Sequence, residues 1–172
     1  MDSFVEQLVV KKKSAGQIVA VAVISVIAVL LIAFSLLMIR VLGPITAILI
    51  TAVFYGAWYL LTAQNIEYEY CITNNIIDID CIVAQRRRKR IVSVKGNKIE
   101  AAGKYVPEQW AHRAIDRTVI AAPSKNDENL YYFTYHSKKS GHTLVVFQPD
   151  DRVKESFYQG LPRLIQLDWE KE

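Results

Sequence analysis

The chain has 172 residues, 21 Lys and Arg against 17 Asp and Glu, a formal charge of +4 and 52% hydrophobic side chains. Seven Gly, five Pro and two Cys exclude a collagen-like or disulfide-stapled protein, and the apolar content excludes disorder over most of the length. The apolar residues are bunched: Arg40 is the only formally charged residue from Ala15 to Ala63, so a membrane segment is joined to a soluble one.

Residues 1–13 read as an amphipathic cytoplasmic N-terminus. Ser3 and Glu6 have capping-box spacing, and Phe4, Val5, Leu8 and Val9 share one helical face, which predicts a short interfacial helix ahead of Lys11, Lys12 and Lys13. Residues 14–64 read as a hairpin of two transmembrane helices. From Ile18 to Ile39 the chain carries no charge, and at about 1.5 Å per residue it crosses roughly 30 Å of hydrocarbon. A cleaved signal peptide is disfavoured because Arg40 stands where small cleavage-site residues belong. A second span opens at Gly43-Pro44 and ends at Ala63, with Tyr55, Trp58 and Tyr59 forming an interfacial belt. The short connection makes the two helices antiparallel neighbours, and Ala52 and Gly56 have the spacing of a close backbone approach. Basic residues flank the pair on the outside, Lys11 to Lys13 before it and Arg86 to Arg90 after it. Both termini are therefore predicted cytoplasmic, in a multi-pass protein of the cell membrane.

Residues 65–172 read as a cytosolic α+β domain, mainly antiparallel sheet. Ile66 to Ile72 alternates apolar and polar, Asn74-Asn75 supplies a two-residue turn, and Ile76 to Ala84 resumes the alternation. That register puts Tyr68, Tyr70, Ile77 and Ile79 on one face. Glu67, Glu69, Asp78 and Asp80 lie on the other, with Glu69 opposite Asp80. Cys71 and Cys81 fall on opposite faces, which disfavours a disulfide, and a cytoplasmic domain keeps them reduced. Strands are expected around Ile91–Val94 and Ile99–Ala102. A helix from Pro107 carries Trp110, Ala111, Ala114, Ile115 and Thr118 on one face, and a second hairpin spans Leu130–His136 and His142–Phe147. Pro149-Asp150-Asp151 caps a short helix burying Val153 and Phe157. Alternation of Ile165, Leu167 and Trp169 predicts a final strand.

Two spans followed by EYEYCITNNIIDIDCIVAQRRRKRIVSV, then FQPDD and LPRLIQL, resemble over essentially the whole chain a family of small bacterial two-span membrane proteins with a cytosolic α+β domain. More loosely, a hairpin running into an arginine cluster behind paired membrane helices resembles bacterial pleckstrin-homology-like proteins, although the helix expected at Pro107 falls where that fold would have strands. The resemblance implies no activity, cofactor or functional residue.

No phosphate-binding glycine loop, nucleophile elbow, zinc-helix motif or Cys-x-x-Cys pair occurs. His136 and His142 flank the second hairpin as two metal ligands would, but zinc needs three or four, so no catalytic, cofactor or metal residue is assigned. His112 and Asp116, four apart, read as a surface helical pair rather than a base and its orienting acid. The opposed carboxylates of the first hairpin need a counter-charge, which Arg88 and Arg90 on the next strand supply more readily than a cation. Nucleic acid is excluded as a partner, because the arginine run has no interleaved aromatics and the domain carries a charge of only about +2. The remaining candidate contacts are Lys11, Lys12, Lys13, Arg86, Arg87, Arg88, Lys89 and Arg90, directed at anionic lipid headgroups. The sequence thus reads as a non-catalytic scaffold or interaction module at the cytoplasmic membrane surface. Its rivals are an accessory subunit contacting a membrane-protein partner and a membrane-bound metal-dependent enzyme.

Overall fold

The computed structural model describes residues 4–110, 113–125 and 127–169. One compact unit is Lys12–Ile66 together with Val83–Gln85, and the other holds the chain up to Lys11, Glu67–Ile82 and the chain from Arg86 onward.

In the first unit, helix α1 (Ala15–Leu37), a single turn α2 (Ile39–Leu42) and helix α3 (Ile45–Thr62) form a hairpin. The helices α1 and α3 are long and apolar enough to cross a membrane. Ser14 caps α1: its Oγ accepts from the Gln17 N–H at 3.3 Å while the Gln17 side-chain oxygen accepts from the Ser14 N–H at 3.0 Å. Three hydroxyls inside these helices turn back on their own backbone, Ser25 to Val21 O, Ser35 to Leu31 O and Thr51 to Ala47 O, at 2.8–2.9 Å. Those side chains are thereby satisfied within an apolar helix, whereas the buried Thr46 hydroxyl has no hydrogen-bond partner among the described residues. Gly43, at φ +50°, makes the bend before Pro44, where a side chain would be strained. Gly56 differs from expectation. A Cβ there would meet nothing within 4 Å, and the glycine lines an apolar groove of about 250 Å³ with Ala28 and Leu31 instead of a close crossing.

The N-terminal segment is not a helix. Phe4–Val10 forms strand β1, antiparallel to β2 (Ile66–Thr73) with Val5 opposite Ile72 and Val10 opposite Glu67. The apolar spacing of Phe4, Val5, Leu8 and Val9 suits a helix, but β2 has an edge whose N–H and C=O groups need partners, and pairing decides the conformation. Residues 4–10 therefore belong to the sheet-bearing unit, and the helical hairpin is inserted between its first two strands. Because Val10 and Glu67 are paired neighbours, the insertion leaves and re-enters the sheet at one place, as the two ends of an antiparallel helix pair require.

The first sheet continues through β3 (Ile76–Val83) and β4 (Arg87–Lys95), in the order β1-β2-β3-β4. The Asn74-Asn75 turn has both residues at positive φ, 47° and 64°, which asparagine tolerates. The second sheet contains β5 (Ile99–Lys104), β6 (Arg117–Ala121), β7 (Tyr131–Ser137) and β8 (Gly141–Phe147), in the order β5-β7-β8-β6 with β6 parallel to β8. The helix at Pro107 is a single turn, α4 (Pro107–Trp110). The β-branched Thr118, Val119 and Ile120 pair with Leu144, Val145 and Val146 as strand instead. A strand thus stands where the sequence suggested helix, which removes the departure from a pleckstrin-type arrangement. Asp150 caps α5 (Asp151–Gly160) by accepting from the Val153 N–H at 2.8 Å, as expected. The final strand is instead helix α6 (Arg163–Trp169). Pro162 O accepts from Ile165 and Gln166, turning the chain helical, so that Ile165 and Trp169 share a side while Leu164 and Leu167 stay exposed.

The core lies between the sheets. Phe147 packs edge-on against Tyr70 at 5.7 Å and against Phe133 at 5.5 Å, while Phe157 of α5 closes on Phe147 at 5.2 Å. Tyr68, Tyr70, Ile77 and Ile79 are buried as the alternation requires, and Trp110 and Phe157, expected inside from helical spacing, are buried too. A second cluster of Trp110, Leu130, Tyr132, Leu144 and Val146 covers the far face of the second sheet. Gln7 pins β1 to the chain entering α5: its amide donates to Gln148 O at 3.1 Å and accepts from the Asp150 N–H at 2.8 Å.

Candidate functional site

The outer face of the first sheet carries a row of opposed charges. The Arg88 guanidinium bonds Asp80 Oδ2 at 2.7 Å and also Glu69 Oε1, and Arg90 bonds Asp80 Oδ1 at 3.1 Å and Asp78 Oδ2 at 3.1 Å. The arginines therefore supply the counter-charge that the facing carboxylates need, and among the described residues no group of three metal-binding side chains occurs. The two central carboxylates respond in opposite directions. Burial opposes ionisation of Asp80, but hydrogen bonds and charge from Arg90 and Arg88 prevail and hold its carboxyl below the usual range. Burial pushes the Glu69 carboxyl up. Arg88 opposes that shift alone, and neighbouring Glu6 adds to it.

The β3–β4 turn is the second feature. Ala84 and Gln85 both adopt the left-handed region, φ 55° and 54°, although neither is Gly, Asn or Asp. The turn is held where it is by the Ala84 N–H, which donates to Asn65 O at 2.8 Å, three residues past the end of α3. Backbone strain of about 1–2 kcal/mol per residue is tolerated to bring the start of the arginine run back to the point where the chain leaves the helix.

Of the eight residues singled out by sequence, Lys11 follows β1, Lys12 and Lys13 precede the Ser14 cap, Arg86 completes the turn and Arg87 to Arg90 open β4. Arg88 and Arg90 are engaged with the acidic row, whereas Lys13 and Arg87 are exposed with no ion-pair partner among the described residues. Lys11 and Lys89 converge on Cys81. Burial pushes that thiol up, and the two ammonium charges oppose the shift. Lysines 78 positions apart in sequence are thus brought to one end of the sheet by its strand order β1-β2-β3-β4.

His136 and His142 face each other across β7 and β8, but His142 is occupied by Glu100, 3.1 Å away, and its backbone N–H donates to Asp116 at 2.7 Å. The proposed partner of Asp116, His112, lies outside the described residues. Sequence reasoning missed the role of residues 4–10 and the strained turn. The Ser14–Gln17 capping box was the available signal that the helix begins there, leaving the preceding segment free to be strand.

Residues 1–166 match the family described as Bacterial PH-like domain (DUF6106), and the chain belongs to that family. No curated protein and no solved structure matches it. A PH-like domain points to an interaction module.

Proposed function

We propose that this bacterial PH-like protein is a non-catalytic scaffold module held in the cell membrane by its two spans, with both termini cytoplasmic, and that the basic end of its first sheet engages anionic headgroups. The observation that carries this reading is the Ala84–Asn65 hydrogen bond, which brings the start of the arginine run back to the exit of α3. Arg86 and Arg87, with Lys11 to Lys13 and Lys89, are the contacts. Arg88 and Arg90 contribute less because their guanidinium groups already serve Glu69, Asp78 and Asp80. Each basic side chain near an anionic leaflet gains about 1 kcal/mol, so a few suffice to set the domain's attitude. Arginine additionally offers a bidentate fork to a lipid phosphate.

A spin label at position 85 of the reconstituted protein, in vesicles of graded anionic-lipid content, should report headgroup-level immersion. The signal should weaken when Arg86 and Arg87 are changed to Gln. A label that stays fully water-exposed in every mixture would refute headgroup contact and leave the basic residues as topology signals.

A further inference from the structure

A second basic feature lies at the other end of the first sheet. A groove of about 340 Å³ runs beside Ile76, the first residue of β3, between the end of β4 and the β7–β8 turn, and Ser93, Lys95, Lys98, His136, Ser137 and Lys138 line it. The two lysine-bearing segments are some forty residues apart in sequence, and folding alone brings them together.

The backbone carrying Lys95 and Lys98 is held firmly. The Gly96 N–H donates to Asn75 O at 2.7 Å, and the place a Cβ would take at Gly96 is filled by Gly160 O, 2.0 Å from it. Across the groove, the Lys139 N–H donates to Ser137 Oγ at 3.4 Å within the turn that presents Lys138.

Strand β4 is charged at both ends but only one end is compensated. Arg88 and Arg90 meet three carboxylates. Lys95, Lys98 and Lys138 have no ion-pair partner among the described residues, and no acidic residue lines the groove. Gathering like charges without counter-charge is unfavourable, and a bound anion would offset that cost. The donors on offer are three ammonium groups, an imidazole and two hydroxyls, which suit a compact, multiply charged oxyanion. The volume is that of a small-molecule site.

We propose that this groove binds a phosphate monoester dianion. Lys95, Lys98 and Lys138 neutralise its charge, and Ser93, Ser137 and His136 fix its oxygens. The site is independent of the headgroup contacts proposed above. It lies at the opposite end of β3 from the Ala84–Gln85 turn, seven strand steps or roughly 23 Å away. The same phosphate chemistry could be presented by a soluble ester or by a lipid headgroup, and the two arms of the test separate these sources.

The test uses the full chain in neutral detergent micelles, titrated with inorganic phosphate at constant ionic strength and followed by the backbone amide resonances of residues 93–98 and 136–138. Saturable shifts are expected. Binding should weaken at least tenfold in Lys95→Gln/Lys98→Gln/Lys138→Gln and less than twofold in the charge-matched control Arg117→Gln/Lys125→Gln/Arg163→Gln, with thermal unfolding confirming that both variants fold. A parallel arm measures association with phosphatidylcholine vesicles, with and without phosphatidic acid. Saturation by free phosphate identifies a soluble ligand. Lysine-dependent binding to phosphatidic acid without saturation by free phosphate identifies a headgroup. Failure with both probes, equal loss in the control variant, or an equal response to sodium chloride would overturn the proposal.

Discussion

Replacing Tyr70 by Phe tests how the two sheets are joined. Tyr70 is 1% exposed; its hydroxyl donates to Ala121 O at the end of β6 and accepts at 3.3 Å from the N–H of Gln148, the residue after β8, so one oxygen on the first sheet serves two backbone groups at the ends of second-sheet strands. Phenylalanine keeps the ring and its edge contact with Phe147 but leaves the carbonyl of buried Ala121 and the N–H of half-buried Gln148 without that partner, at a cost of about 1–3 kcal/mol. The loss should itself depend on pH. Burial, aided by the neighbouring Tyr68 and opposed by the Gln148 hydrogen bond, pushes the Tyr70 hydroxyl far above the usual tyrosine range. The folded protein therefore keeps a proton that the unfolded chain releases above about pH 10. Stability from this group is fully present below that pH and is lost as the pH rises toward the folded value, by about 1.4 kcal/mol per unit. The advantage of wild type over Tyr70→Phe should thus be constant from pH 7 to 9 and shrink above pH 10. Urea unfolding of the full chain in detergent, followed by near-ultraviolet circular dichroism of the aromatic core, measures it. Equal stability at pH 7, or a difference that stays constant to pH 11, would refute the argument.

Two further outcomes are expected. In Gly96→Ala the new methyl would stand 2.0 Å from Gly160 O and 2.8 Å from its carbonyl carbon, so the backbone must shift, at a cost of about 1–3 kcal/mol read as a lower melting temperature. In intact cells a membrane-impermeant thiol reagent should leave Cys71 and Cys81 unmodified, and permeabilisation should make them reactive. Labelling of folded protein before permeabilisation would reverse the orientation proposed for the spans.

The features legible in the sequence are those that a short window encodes. Two apolar runs long enough for a bilayer, the alternation on either side of Asn74-Asn75, and the Asp150 cap each need only neighbouring residues, and the structure contains all three. The pairing of Arg88 and Arg90 with the acidic face was also legible, because opposed carboxylates on one hairpin call for a charge on the next strand. Other features depended on partners distant in the chain. Residues 4–10 carry a pattern that either period can use, and the open edge of β2, some sixty residues away, selects the strand. Ile165 to Trp169 alternates like a strand, yet Pro162 and the packing of Trp169 on Phe157 and Tyr131 select the helix. The left-handed Ala84–Gln85 turn has no residue that announces it, since the hydrogen bond to Asn65 that holds it is tertiary. The lysine groove likewise exists only once β4 and the β7–β8 turn have met. Periodicity reports which face a residue buries, but the position of a charge relative to another charge is set by the pairing of strands that a local pattern does not encode.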